Sequence, residues 1–147
     1  MQTFRETINN LLEAVFHNIL RVEEEYLQKG LGPGLTIREM HIIEYVGKGG
    51  KEGRTLSEIA SFFKVARPSI TVAAKKLEER EYLTKNTSLQ DKRVVRVTLT
   101  REGRKVYLSH MRFHTLLANE LEEDLNEDEK QTLINTMIKM DKYFEKS

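Results

Sequence analysis

The strongest constraint on this chain is a pair of short apolar stripes set close together. In "TLSEIASFF", Leu56, Ile59, Ala60 and Phe63 fall at i, i+3, i+4 and i+7, the spacing of one helix face. In "RPSITVAAKKLEER", Ile70, Ala73, Ala74 and Leu77 make the same stripe again. Thr55 and Glu58 supply a capping box for the first helix. Pro68 suits the first turn of the second, where its missing N–H is not needed. Two such helices joined by about four residues describe a helix-turn-helix.

The flanking sequence extends this unit in both directions. Upstream, Ile8, Leu11, Leu12, Val15, Phe16, Ile19 and Leu20 predict a long amphipathic helix over 3–28, stopped by "KGLGPG". A second helix follows in "TIREMHIIEYVG", with Thr36 and Glu39 as its capping box. Downstream, "YLTKNT" and "VVRVTLT" alternate apolar and polar residues and predict two antiparallel strands joined by a basic turn. Thr100 caps a long helix over 101–123, and Asn126 with Glu129 caps a last one to about 145. The expected fold is mainly α (α+β), one domain over residues 1–147. A winged helix-turn-helix lobe at 36–100 is flanked by long helices at 1–30 and 101–147. Those outer helices carry apolar faces that a compact lobe does not require, so they are expected to pair two copies of the chain.

Charge is segregated along the sequence. Net charge is +1 over the chain, but −2 over residues 1–63, +7 over 64–105 and −4 over 106–147. Only the middle third makes an electrostatic footprint for a polyanion. Cysteine is absent, which excludes disulfides and thiolate ligands. No apolar run reaches the length of a membrane span and the N-terminus lacks a signal-peptide pattern, so a cytoplasmic protein without a membrane partner is expected.

On the second helix of the pair, the face opposite the apolar stripe presents Pro68, Ser69, Thr71, Val72, Lys75 and Lys76, with Arg67 at its start. Small hydroxyls early and lysines later suit a helix lying in the major groove of double-stranded DNA. The hairpin then stands beside it as a wing. Lys92 and Arg93 at its tip, supported by Arg96, would reach the adjacent minor groove. Asp91 makes sense there if its carboxylate holds the Arg93 guanidinium and fixes its direction.

"LTIREMHIIEYV", "TLSEIASFFKVARPSITVAAKKLEEREYL" and above all "DKRVVRVTLTREG" resemble the multiple antibiotic resistance regulator (MarR) family of winged helix-turn-helix proteins over almost the whole chain. The resemblance implies a homodimeric transcription regulator, a repressor, on a pseudo-palindromic operator, with Asp91 and Arg93 in the wing. One departure stands out. Many members have glycine before the first wing strand, where this chain has Glu81. A left-handed backbone there costs a non-glycine residue about 1 kcal/mol, so the helix is expected to end differently.

The histidines raise a second question. His110 and His114 are four apart on one helix face, and His41 lies in the second helix. "RVEEEY" supplies Glu23, Glu24 and Glu25 near the end of the first. Glu24, His41, His110 and His114 would make a zinc set without cysteine. The placement is similar to zinc-responsive members of the family. It is equally similar to its fatty-acid-synthesis repressors, in which "EMHxI" and "RFH" segments look alike and the partner is an acyl chain on acyl carrier protein. An acyl effector requires an apolar tunnel, which Leu12, Phe16, Phe62, Phe113 and Leu117 could line; a small aromatic ligand is the third alternative. No cofactor is required for DNA binding itself.

Two other classes compete. A winged helix can dock onto protein, but such a surface has no need of Lys75, Lys76, Lys92, Arg93 and Arg96 on one lobe. Catalysis has the least support: "KGGKEGR" lacks a phosphate-loop pattern, and no Ser, His and Asp set has reason to converge.

Overall fold

The computed structural model describes residues 1–146. Helix α1 (Phe4–Tyr26) begins at Thr3, whose hydroxyl accepts from the Glu6 amide while the Glu6 carboxylate accepts from the Thr3 amide. A π-helical turn, Leu27–Leu31, continues the winding into the glycine-rich stretch that was expected to stop it. α2 (Ile37–Lys48) has the reciprocal Thr36–Glu39 cap read from the sequence. After a 3₁₀ turn at Gly50–Glu52 come β1 (Arg54–Thr55), α3 (Leu56–Phe63), α4 (Arg67–Glu79), β2 (Leu83–Thr87) and β3 (Val95–Leu99). Two long helices, α5 (Arg101–Asp124) and α6 (Glu127–Glu145), complete the order.

The sheet runs β1-β3-β2, all antiparallel, with Leu83 opposite Leu99 and Lys85 opposite Val97. β1 was not foreseen because two residues are too few to show alternation. The capping box expected at Thr55 is half made. The Thr55 hydroxyl accepts from the Glu58 amide at 3.1 Å, whereas the Glu58 carboxylate lies 4.0 Å from Arg54.

Both helices of the central pair end on a left-handed residue that is not glycine. Lys64, at φ 54°, lets the Val65 amide donate to the Ala60 carbonyl and turns the chain from α3 toward α4. Glu81, at φ 66°, lets the Tyr82 amide donate to the Leu77 carbonyl, and its own amide donates to Glu78. The expectation that α4 ends differently is therefore corrected. The chain keeps the glycine-type ending with glutamate in it, because the bonds made by the turn and the hydroxyl of Thr100 on the Glu81 carbonyl hold it there.

Apolar residues of α2, α3, α4 and the sheet converge on one core: Ile42, Ile43, Val46, Ile59, Ile70, Leu77, Leu83 and Val97 are almost wholly buried. Each contributes roughly 1.5–3 kcal/mol by leaving water. Gly103, in the "LTREG" motif, lets α5 start hard against the wing's base. A Cβ there would sit 2.1 Å from the Tyr82 carbonyl oxygen. The chain forms two compact units, Met1–His110 and Met111–Ser147, the boundary falling inside α5. Among the described residues no helix is long and apolar enough to cross a membrane.

Candidate nucleic-acid interface

α4 starts at Arg67 with Pro68 in its first turn and no side-chain cap; Pro68 has no N–H to satisfy, and the Ser69 amide donates to the Ala66 carbonyl at 3.0 Å. Its core face buries Ile70, Ala74 and Leu77, and Pro68, Ser69, Thr71, Val72, Lys75 and Lys76 are all exposed. The Thr71 hydroxyl donates to the Arg67 carbonyl at 3.1 Å. Beside this face lies an open cleft of ≈ 520 Å³ between α4 and the start of α2, lined by Arg38, Ser69, Val72 and Lys76 among others.

The wing tip is organised by its own side chains. The Ser88 hydroxyl accepts from the Gln90 and Asp91 amides, and the Val94 amide donates to the Asp91 carbonyl. Asp91 Oδ1 accepts from the Arg93 amide at 3.0 Å and from Arg93 Nε at 3.1 Å, while Oδ2 accepts from Nη2 at 3.3 Å. This two-pronged grip leaves the Arg93 side chain 88% exposed but aimed. The guanidinium and amide of Arg93 hold the Asp91 carboxyl below the ordinary carboxylate range. Lys92 is exposed next to them.

Two of the basic residues assigned to DNA are turned to other partners. Arg96, on the central strand, donates to the Glu52 carbonyl at 3.2 Å and so ties β3 to the 3₁₀ turn. Arg67 donates from Nη2 to the Arg93 carbonyl at 2.5 Å, joining the start of α4 to the wing.

A second cluster lies inside the first unit. His110 Nε2 is 2.9 Å from Glu23 Oε1, and its Nδ1 is 2.5 Å from Glu44 Oε2. His41 Nε2 is 3.5 Å from the other Glu23 oxygen. α1, α2 and α5 are thus joined through one imidazole. Burial works against charge at His110, yet the two carboxylates prevail and raise its pKa. Burial likewise pushes Glu44 up, but His110 and Lys48 hold it down at about 2.

The carboxylate gathered here is Glu23, which is buried, and not Glu24, which is exposed one position on. Glu23, His41 and His110 offer ligand atoms within 4.8 Å of one another. His114 is exposed in the second unit, its ring edge-on to Phe113. Glu44 was missed altogether. Helical spacing held the signal for both acids: Glu23 falls in line with Ile19 and Leu27 on an apolar face, and Glu44 lies one turn from His41. Of the tunnel candidates, Leu12, Phe16 and Phe62 are exposed in the first unit, where Phe62 stacks on Tyr45 at 4.1 Å between ring centroids. Phe113 and Leu117 belong to the second.

Comparison with known proteins agrees with this architecture. The family model described as transcriptional regulator SarA/Rot matches residues 25–109. The chain is 27% identical over 135 residues to the uncharacterized HTH-type transcriptional regulator YpoP of Bacillus subtilis, covering 92% of each protein. It is 36% identical over 107 residues to the DNA-binding transcriptional repressor ScoC of the same organism, covering 72% of this chain and 50% of ScoC. The crystal structure of Streptococcus pneumoniae FabT in complex with DNA superposes with a TM-score of 0.87 at 28% identity, over 97% of this chain and 98% of FabT. The chain therefore belongs to the SarA/Rot family of transcriptional regulators, DNA-binding winged helices of the MarR type.

Proposed function

We propose that this regulator acts as a homodimeric repressor on a pseudo-palindromic operator, with α4 in the major groove and the wing tip in the adjacent minor groove. The observation that carries the reading is the Asp91 grip on Arg93, which aims an exposed guanidinium from a wing joined to α4. A pair of copies is supported by exposed apolar side chains on α1 (Phe4, Leu11, Val15, Phe16) and, in the other unit, on α6 (Ile134, Met137, Ile138, Phe144). Half-sites then lie one helical turn apart, roughly 34 Å, and an effector that changes the separation of the two α4 helices releases DNA. An acyl chain or a small aromatic molecule fits the apolar chemistry of such an effector.

The test is binding of the purified dimer to promoter DNA across a salt series. The logarithm of affinity should fall linearly with that of salt, by about 0.9 per phosphate contacted. Binding indifferent to salt, or a monomer by light scattering, would contradict the reading.

A second reading, zinc response, is favoured by the Glu23–His41–His110 cluster. Its 2.9 and 3.5 Å donor spacings are close to the edge of a zinc tetrahedron, about 3.3 Å for ordinary Zn–N and Zn–O bonds. Glu44 on His110 Nδ1 would be the outer carboxylate that orients a metal-bound imidazole. Zinc should raise the melting temperature of the wild type and not of a His41→Ala, His110→Ala variant. No rise in the wild type ends this reading.

A further inference from the structure

Arg67 is an odd residue at the head of a helix. The start of a helix carries partial positive charge, so a guanidinium in the first turn is unfavourable. α4 has no acidic residue in that turn and no side-chain cap to offset it. The charge of Arg67 therefore does not help the start of the helix. Its guanidinium crosses to the wing and donates to the backbone carbonyl of Arg93, 26 residues on.

The wing tip is internally braced, through Ser88, Asp91 and the Val94 amide. β1 pairs with β3 only at Arg96 and Val97, so toward the tip the wing is a two-stranded ribbon, which has little stability of its own. A bond from the head of α4 to the tip fixes the angle at which the tip stands.

We propose that Arg67 is a positioning residue for DNA binding: it props the wing against α4 so that Arg93 enters the groove at a fixed angle, rather than contacting DNA itself. This rests on the reading of α4 and the wing as the DNA face. It distinguishes Arg67 from Lys75, Lys76 and Lys92, whose side chains are exposed along that face.

The experiment is a double-mutant cycle. The probe is a duplex selected by the wild-type dimer from a random-sequence library, with affinity measured by fluorescence anisotropy over a salt series. Arg93→Ala keeps its backbone carbonyl, so the prop remains but has no guanidinium to aim. Arg67→Ala and Arg93→Ala should each weaken binding about tenfold. The double variant should match Arg93→Ala to within about twofold, because both act through one side chain. Arg67→Ala should leave the melting temperature unchanged, and Arg67→Lys, which still donates to a carbonyl, should recover most of the affinity. Additive losses, with the salt dependence falling by about one phosphate for each residue, would overturn the proposal and make Arg67 a direct contact. An effect of Arg93→Ala with none from Arg67→Ala would overturn it too. No effect of either variant would instead strike the assignment of the DNA face.

Discussion

The wing tip and the His110 cluster use one device, a cation bracketed by carboxylate, on opposite sides of the solvent boundary. At the tip the Arg93 side chain is 88% exposed; inside, the His110 and Glu23 side chains are only 4% and 3% exposed. Water screens the outer pair, so it adds little to stability and serves to point a guanidinium. The His110–Glu23 pair inside has lost its hydration and stays in place only while each charge keeps its partner. An outer bracket can exchange its partner for a phosphate at small cost. The inner one cannot be dismantled without loosening α1, α2 and α5 together.

Removing the central cation is the hardest blow to this contrast. His110→Ala takes from the buried Glu23 carboxylate its nearer imidazole, leaving His41 at 3.5 Å, and takes from Glu44 its closest partner. The expected loss is about 3 kcal/mol in urea unfolding at fixed protein concentration. Asp91→Ala, which breaks the outer bracket, should leave the unfolding midpoint where it is. Equal sensitivity at both sites would refute the solvent argument.

Titration probes the same difference without changing a residue. His110 has a raised pKa in the folded protein, so its contribution is complete below the pKa of the unfolded imidazole and is lost as pH rises through the folded value. Glu44 is held down at about 2, so its contribution is present above the ordinary carboxylate range and is lost as pH falls toward that value. Metal-free protein should therefore melt at the highest temperature between about pH 4.5 and 6.5 as far as this cluster decides. His110→Gln should flatten the alkaline side of the profile. A wild-type profile that the variant reproduces would show that the imidazole carries no charge.

Function should respond in the opposite sense. Arg93→Ala is expected to cut DNA affinity about tenfold while leaving the melting temperature alone. Asp91→Asn should lose part of that, because an amide still accepts one bond but no longer grips with charge. An Asp91→Asn variant that binds better than wild type would mean that the carboxylate opposes DNA rather than aiming Arg93.

The sequence was readable where chemistry is local. Capping boxes at Thr36 and Asn126, the stripe through Ile70, Ala74 and Leu77, and the Asp91–Arg93 pair all join residues a few positions apart. What it hid was long-range choice. Glu23 and His110 are 87 residues apart, and nothing in "VEEEY" alone says which acid turns inward; only its alignment with Ile19 and Leu27 does. Arg67 and Arg96 stand out in the sequence by charge and position alone, and nothing local says that their guanidinium groups donate to the carbonyls of Arg93 and Glu52. Short β1 was invisible for want of length.

The smallest effect concerns the joint between the recognition helix and the wing, and it separates backbone strain from charge. Glu81 holds a left-handed conformation at φ 66°, which costs a residue bearing a Cβ. Glu81→Ala and Glu81→Gly both remove the carboxylate, but only glycine relieves the backbone. Glu81→Gly should therefore unfold at higher urea than Glu81→Ala, by about 1 kcal/mol. The two should bind DNA equally, since the Thr100 hydroxyl and Tyr82 amide bonds that set the joint use backbone groups present in both. Tighter DNA binding by the glycine variant alone would show that strain at the joint, and not the grip on Arg93, governs where the wing stands.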